Sequence, residues 1–145
     1  MKSLIQRVSC ASVTVDGEIV GAIDRGLLVL VGVEASDDSR AVARMAERLL
    51  SYRVFPDATG RMNQSVADVS GGVLLVSQFT LAADTRKGTR ASFSSAAAPE
   101  LARGLFNALV EAVRQRHAEV ATGRFAADMQ VALVNDGPVT FLLEV

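Results

Sequence analysis

One cysteine and one histidine stand in 145 residues, and their scarcity excludes a good deal. Cys10 alone closes no internal disulfide, which rules out the stapled scaffolds of small secreted proteins and makes the cytoplasm the expected compartment. A zinc site of the usual Cys/His kind has no set of four ligands to draw on. A histidine-dependent triad could rest only on His117. Long apolar runs are missing too: the longest, Gly26 to Val33, falls far short of the ~18–20 residues of a membrane-spanning helix. In the opening segment MKSLIQRVSC, Gln6 and Arg7 interrupt any export-signal core. Nor does one sign of charge dominate, since 15 Lys and Arg face 16 Asp and Glu for a net charge of −1. A protein gripping a long phosphate backbone usually carries a basic surplus, so any nucleic-acid contact is expected to be local.

What remains is a chain that can build a core. Half of the residues are hydrophobic and 21% are charged, the balance of a folded protein rather than a disordered one. The length predicts one domain over residues 1–145. A globular chain of this size buries about two-thirds of its surface and leaves roughly 7,000 Å² exposed.

The stretch SVTVDGEIVGAI alternates apolar and polar residues around Asp16-Gly17, a dipeptide suited to a type I′ hairpin turn. RGLLVLVGV is apolar for longer than one exposed sheet face permits, which predicts a central strand covered on both sides. Ser36-Asp37-Asp38 supplies an N-cap and an acidic first turn, and Val42, Met45, Ala46, Leu49 and Leu50 recur at helical spacing, so a helix is expected over 37–50. Pro56-Asp57 then opens a turn-rich stretch to residue 72, broken only by Met62-Asn63-Gln64. VLLVSQF reads as a second buried strand, followed by an irregular segment over 82–97 carrying Asp84, Arg86, Lys87 and Arg90. Segments of that kind are uncommon inside compact domains and often functional. Pro99 suits the first turn of a second helix, whose apolar stripe is Leu101, Leu105, Ala108, Leu109, Ala112 and Val113, through about residue 117. MQVALV and VTFLLEV read as two strands joined by an NDGP turn. Strands interrupted by two helices predict an α+β layered domain.

Three features are candidates for chemistry. SQFTL over 77–81 puts Ser77, Gln78 and Thr80 at the end of a buried strand that opens into a long loop, where sites concentrate. A Ser or Thr nucleophile needs a base, and no His, Asp or Glu follows until Asp84. NDGPVT over 135–140 reads most simply as a tight turn; a cis X–Pro bond occurs in only about 5–6% of cases, and composition does not choose it. Arg86, Lys87 and Arg90 form either a small phosphate patch or a solvated loop. His117 suits a helix C-terminus, and Cys10, inside an apolar strand, reads as a small core residue.

SQFTL and NDGPVT together closely resemble the two signature motifs of the D-aminoacyl-tRNA deacylase family. The likeness extends to IQRVSCASVTVDGEIVGAIDRGLLVLVGV, RMNQSV and SFSSAAAPELA. It implies a homodimer with a layered β/β/α domain of mixed or antiparallel sheets and two main helices. The implied activity is hydrolysis of the ester joining a D-amino acid, or glycine, to the terminal ribose of tRNA, without a cofactor, a metal or a membrane. By the same resemblance Gly137 and Pro138 form a cis pair whose carbonyls enter the partner's site, bind the substrate amino group and block an L side chain. Phe79 and its neighbours' main-chain groups, Ser77 among them, line the pocket for the terminal adenosine. Gln78 lies near the ester, Ala102 leaves space for the nucleoside, and Arg7 braces the Gly-Pro loop. Thr80 is either a nucleophile or a partner of water, and the expectation favours water. A small-molecule esterase using Thr80 or Ser77, and a non-enzymatic dimer binding RNA ends, are the competing readings.

Overall fold

The computed structural model describes residues 1–145. The Asp16-Gly17 signal acts as expected: both residues take positive φ, 51° and 81°, and the chain reverses between β1 (Lys2–Val15) and β2 (Glu18–Ile23). β3 (Gly26–Gly32) then pairs antiparallel with the first half of β1 and parallel with β6 (Gly72–Ser77). Its continuous apolar run follows from this central place. Leu27, Val29 and Val31 face one core and Leu28 faces another, and β6 repeats the division with Val73 and Leu75 against Leu74 and Val76.

The larger core lies under two helices, α1 (Ser39–Ser51) and α2 (Pro99–Arg114). The smaller core is closed by the far half of β1, where Val8, Ala11, Val13 and Val15 are buried. β1 leaves β3 after Val8 and continues with β2, so one long strand serves both layers. Between the helices come a small hairpin of β4 (Phe55–Pro56) and β5 (Met62–Gln64), then β6 and a 3-10 turn over Phe79–Ala82. β7 (Val120–Thr122) adds parallel to β6, and β8 (Gln130–Glu144) pairs antiparallel with β1 along most of its length. The main sheet is therefore mixed, its order β2-β1-β3-β6-β7 with β8 also on β1. This is the expected α+β arrangement. No helix is long and apolar enough to cross a membrane.

Five sequence expectations need correction. α1 starts at Ser39 with Asp38 as its cap, Oδ1 accepting the N–H groups of Arg40 and Ala41 at 2.9 and 3.1 Å, and its first turn holds no acid. Asp37 instead turns inward to accept the Glu34 N–H at 2.7 Å. The buried stripe of α2 is Ala102, Phe106, Leu109, Val110 and Val113; Leu101 and Ala108 are exposed, because the helix seats Ala102 and Phe106 toward the sheet. α2 also ends at Arg114, so His117 lies beyond it with Nε2 2.6 Å from the Gly71 carbonyl oxygen. Cys10 is exposed, since inward alternation along β1 slips between Val8 and Ala11 where the strand changes layers.

The fifth correction bears on function. NDGP does not reverse the chain: β8 is one strand of 15 residues, and both its halves pair with β1. The ladder runs from Thr140 opposite Gln6 to Val134 opposite Cys10, with the register shifting between them. Asp136, Gly137 and Pro138 therefore stand out from the sheet as an exposed bulge, and the Gly137-Pro138 peptide is cis.

Candidate active site

The polar end of β6 folds into the 3-10 turn in a way that frees two backbone donors. Gln78 N–H still bonds to the Val31 carbonyl at 2.7 Å, extending the β3 pairing one residue beyond the strand. Leu81 N–H then bonds to Gln78 O and Ala83 N–H to Thr80 O, each at 3.2 Å. The amides of Phe79 and Thr80 open the turn, where N–H groups have no partner within the helix. Gly32 permits this packing, because a Cβ there would lie 2.8 Å from Leu81 Cβ and 3.2 Å from Gln78 O.

Beside these donors lies a cavity of about 530 Å³. Ser77, Gln78, Phe79 and Ala102 all line it, so the structure brings together four of the residues singled out in the sequence. Its walls are otherwise largely apolar, with Phe106 and Val131 among them, and no charged residue contributes. A size and lining of this kind suit a flat, mostly apolar ligand group held by a few polar contacts. Sequence reasoning missed Phe125, Ala126 and Met129, which form one side of the cavity. They come from the irregular segment between β7 and β8, where the only local signal is two large apolar residues in a loop. Ala126 adopts φ 62°, a left-handed conformation that non-glycine residues rarely take.

Thr80 is exposed just outside the cavity, and its hydroxyl accepts a hydrogen bond from Gln78 Nε2. That amide is its sole side-chain partner, and no imidazole or carboxylate stands ready to take a proton from it. Phe79 is 64% exposed and its ring lies 5.2 Å from that of the half-exposed Phe93. Of the cations in the following loop, Arg86 is neutralised by Asp84 through contacts of 2.9 and 2.7 Å, which hold the Asp84 carboxyl well below the usual range. Lys87 and Arg90 carry no ion pair. A second depression of similar volume, walled by charged residues such as Arg40 and Arg44, lies away from every motif residue.

Gly137 and Pro138 are not part of this cavity. Val131 lines it, and Gly137 stands six residues farther along the same β8 strand. The bulge is anchored at its base instead. Arg7 Nε donates to the Asp136 carbonyl at 3.1 Å, and Arg7 Nη1 donates to the Val54 carbonyl at 2.7 Å. On the other side Asn135 Oδ1 accepts the Val139 N–H at 3.2 Å and Asn135 Nδ2 donates to Thr140 Oγ1 at 3.0 Å. Gly137 has φ 122°, and a Cβ on it would fall 2.8 Å from Arg7 Nη2 and 2.9 Å from Val139 Cγ2. The position accepts only glycine without strain.

Comparison with known proteins agrees with the motifs. The sequence profile of the D-Tyr-tRNA(Tyr) deacylase family matches residues 4–144. A D-aminoacyl-tRNA deacylase of Ectopseudomonas mendocina is 66% identical over the whole of both chains. One of Methylococcus capsulatus is 66% identical over 99% of this chain and 94% of its own. Among solved structures, the c-Myc DNA Unwinding Element Binding Protein superposes with a TM-score of 0.96 at 41% identity, over 100% of this chain and 99% of that one. A probable eukaryotic D-amino acid tRNA deacylase shares the fold at a TM-score of 0.85 and 17% identity, over 99% and 98% of the two chains. With its signature strand end opening on an apolar cavity and its profile matched from end to end, this chain belongs to the D-Tyr-tRNA(Tyr) deacylase family and is an enzyme.

Proposed function

We propose that this protein hydrolyses the ester of D-aminoacyl-tRNA and of mischarged glycyl-tRNA, releasing the amino acid and leaving L-aminoacyl-tRNA intact. The observation that carries the reading is the nucleoside-sized apolar cavity opening beside the free N–H groups of Phe79 and Thr80. The terminal adenosine fills the cavity, with the small side chain of Ala102 leaving it room and Phe125 and Met129 offering apolar surface. The ester then lies over the 3-10 turn. Water adds to the ester carbonyl carbon, and the oxyanion that forms is held by the Phe79 and Thr80 amides; one such donor is worth about 10²–10³ in rate. Collapse breaks the bond to the ribose oxygen, which leaves with a proton passed through the neighbouring ribose hydroxyl. Gln78 and Thr80 orient the water and the ester. Thr80 is not the nucleophile in this reading, because its hydroxyl accepts from Gln78 and has no base beside it.

Stereochemistry is read by main chain. Enantiomers contain the same groups, and apolar contacts discriminate by only about 1–3 kcal/mol per methylene, so rejection needs a rigid wall. Gly137 and Pro138 supply it from a second copy of the chain: their carbonyls take the substrate amino group and occupy the space an L side chain requires. Glycine passes because it has no side chain. Two features support a homodimer. The bulge does not line its own cavity, and the chain exposes 7985 Å² where a globular monomer of its size exposes roughly 7,000 Å². The excess includes Phe79, Val134 and Leu142, each more than half exposed. We read residues 1–145 as one such domain, acting in the cytoplasm on the acceptor end of tRNA, a partner that a near-neutral protein grips through few phosphates.

The test is a deacylation assay on matched D- and L-aminoacyl-tRNA, with Gly137→Ala in parallel. Cleavage of the D form alone, weakened in the variant, is expected; equal cleavage of both enantiomers overturns the reading. One finding favours a second reading, a dimer that binds nucleic-acid ends without turnover: the relative that is 41% identical is named a DNA unwinding element binding protein. Tight binding of aminoacyl-tRNA with no hydrolysis would select it.

A further inference from the structure

We propose that Arg103 is a phosphate-binding residue at the cavity mouth, taking the 5′-phosphate of the nucleotide whose nucleoside occupies the cavity. This rests on the deacylase reading given above. Arg103 directly follows Ala102 on α2, is exposed, and holds its Cζ 4.8 Å from the centroid of the Phe125 ring. Ala102 and Phe125 both line the cavity, and the Phe125 ring in turn lies 6.1 Å from that of Phe106 deeper in the wall. The guanidinium thus caps a run of aromatic rings leading out of the pocket.

Stacking on a ring fixes a guanidinium in place without cancelling its charge, and its N–H edges remain free to donate. Five of the other twelve arginines are held by a carboxylate: Arg7 by Asp136, Arg40 by Asp38, Arg44 by Glu47, Arg86 by Asp84 and Arg114 by Glu111. Arg103 pairs with no carboxylate, although Glu100 lies one turn earlier on the same helix. The cavity itself offers a phosphate nothing, since no charged side chain lines it, and a phosphate buried there unpaired would be strongly disfavoured. A nucleotide seated in the cavity keeps its phosphate at the mouth, where the Arg103 guanidinium is held against Phe125.

Calorimetric binding of adenosine and of adenosine 5′-monophosphate to the full chain separates the two parts of the ligand. The wild-type protein is expected to bind the monophosphate about tenfold more tightly than adenosine, the size of one charge-assisted hydrogen bond. That preference should shrink as salt is raised. In Arg103→Gln the ratio of the two affinities should fall close to one, and Arg103→Lys should recover part of it; adenosine binding by each variant shows that the pocket is folded. Equal affinities in the wild type, or a preference that persists in Arg103→Gln, overturn the phosphate role and leave the deacylase reading standing. No binding of adenosine by the wild type overturns the nucleoside reading of the cavity and this proposal with it.

Discussion

Arg7 grips Asp136 at two points, donating from Nε to its carbonyl oxygen at 3.1 Å and lying 3.2 Å from its Oδ2. The same side chain reaches Val54 O through Nη1 and is only 12% exposed. A planar fork is needed to serve acceptors on different sides, and a lysine ammonium does not reproduce it. Arg7→Lys should therefore behave much like Arg7→Ala. Both should lose about 1.5–3 kcal/mol in denaturant unfolding, and both should lower kcat/KM for D-aminoacyl-tRNA together with the D over L ratio. Full stability and selectivity in Arg7→Lys would show that charge alone suffices.

Asn135 closes the other side of the bulge through Val139 N–H and Thr140 Oγ1, with Gln6 Nε2 donating to the same hydroxyl at 3.3 Å. Asn135→Ala should cost about 1–2 kcal/mol in urea and narrow the discrimination between D- and L-aminoacyl-tRNA. Asn135→Asp keeps the acceptor for Val139 N–H, so it should restore most of both. Unchanged stability and selectivity in Asn135→Ala would remove Asn135 from any part in holding the loop, whereas equal losses in the two variants would place its role in the Nδ2 bond to Thr140.

If water attacks the ester, Thr80→Ala should retain turnover within about tenfold of the parent enzyme. Removing a true nucleophile costs on the order of 10⁴-fold or more. Single-turnover deacylation rates decide between them.

Hydrogen bonds from Thr59, from Asn63 and from the backbone of Thr59 and Arg61 hold the Asp57 carboxyl down to about 2 from 3.8. The folded state thus favours the ionised form. Its stabilisation is fully present above the ordinary carboxylate value and is lost as pH falls from about 4 through about 2. Asp57 closes the β4–β5 hairpin, which follows the Val54 carbonyl that receives Arg7. Asp57→Asn should flatten the fall in stability across that pH window, as measured by thermal unfolding at successive pH values. An unchanged acid profile would exclude Asp57 as a contributor.

Much of the fold was legible because its signals are local. Asp16-Gly17 marks its hairpin by backbone preference, and the unbroken apolar runs of β3 and β6 record burial on both faces. NDGP misled for a physical reason: Asn, Asp, Gly and Pro serve a bulge as well as a turn, and the choice between them is made by pairing with β1 at the far end of the sequence. The α2 stripe was misjudged because Leu101 and Ala102 differ in which of them meets the sheet, something only packing decides. Within the site, Ser77, Gln78 and Phe79 were visible as a polar strand end, whereas Phe125 and Met129 reach the same cavity from a segment with no distinguishing pattern.

At the bulge β8 runs three residues over β1 between Thr140 and Asn135, and β1 regains one between Val8 and Cys10, so the net surplus is two. On both sides of it the odd-numbered residues face inward, Val131 and Leu133 before it, Phe141 and Leu143 after it. An insertion of odd length would have turned one half of the strand inside out. The projecting piece therefore leaves the orientation of both halves unchanged, Val131 and Leu133 against the smaller core and Phe141 and Leu143 against the larger. Evolution could lengthen or shorten it in steps of two without rebuilding the body that carries it.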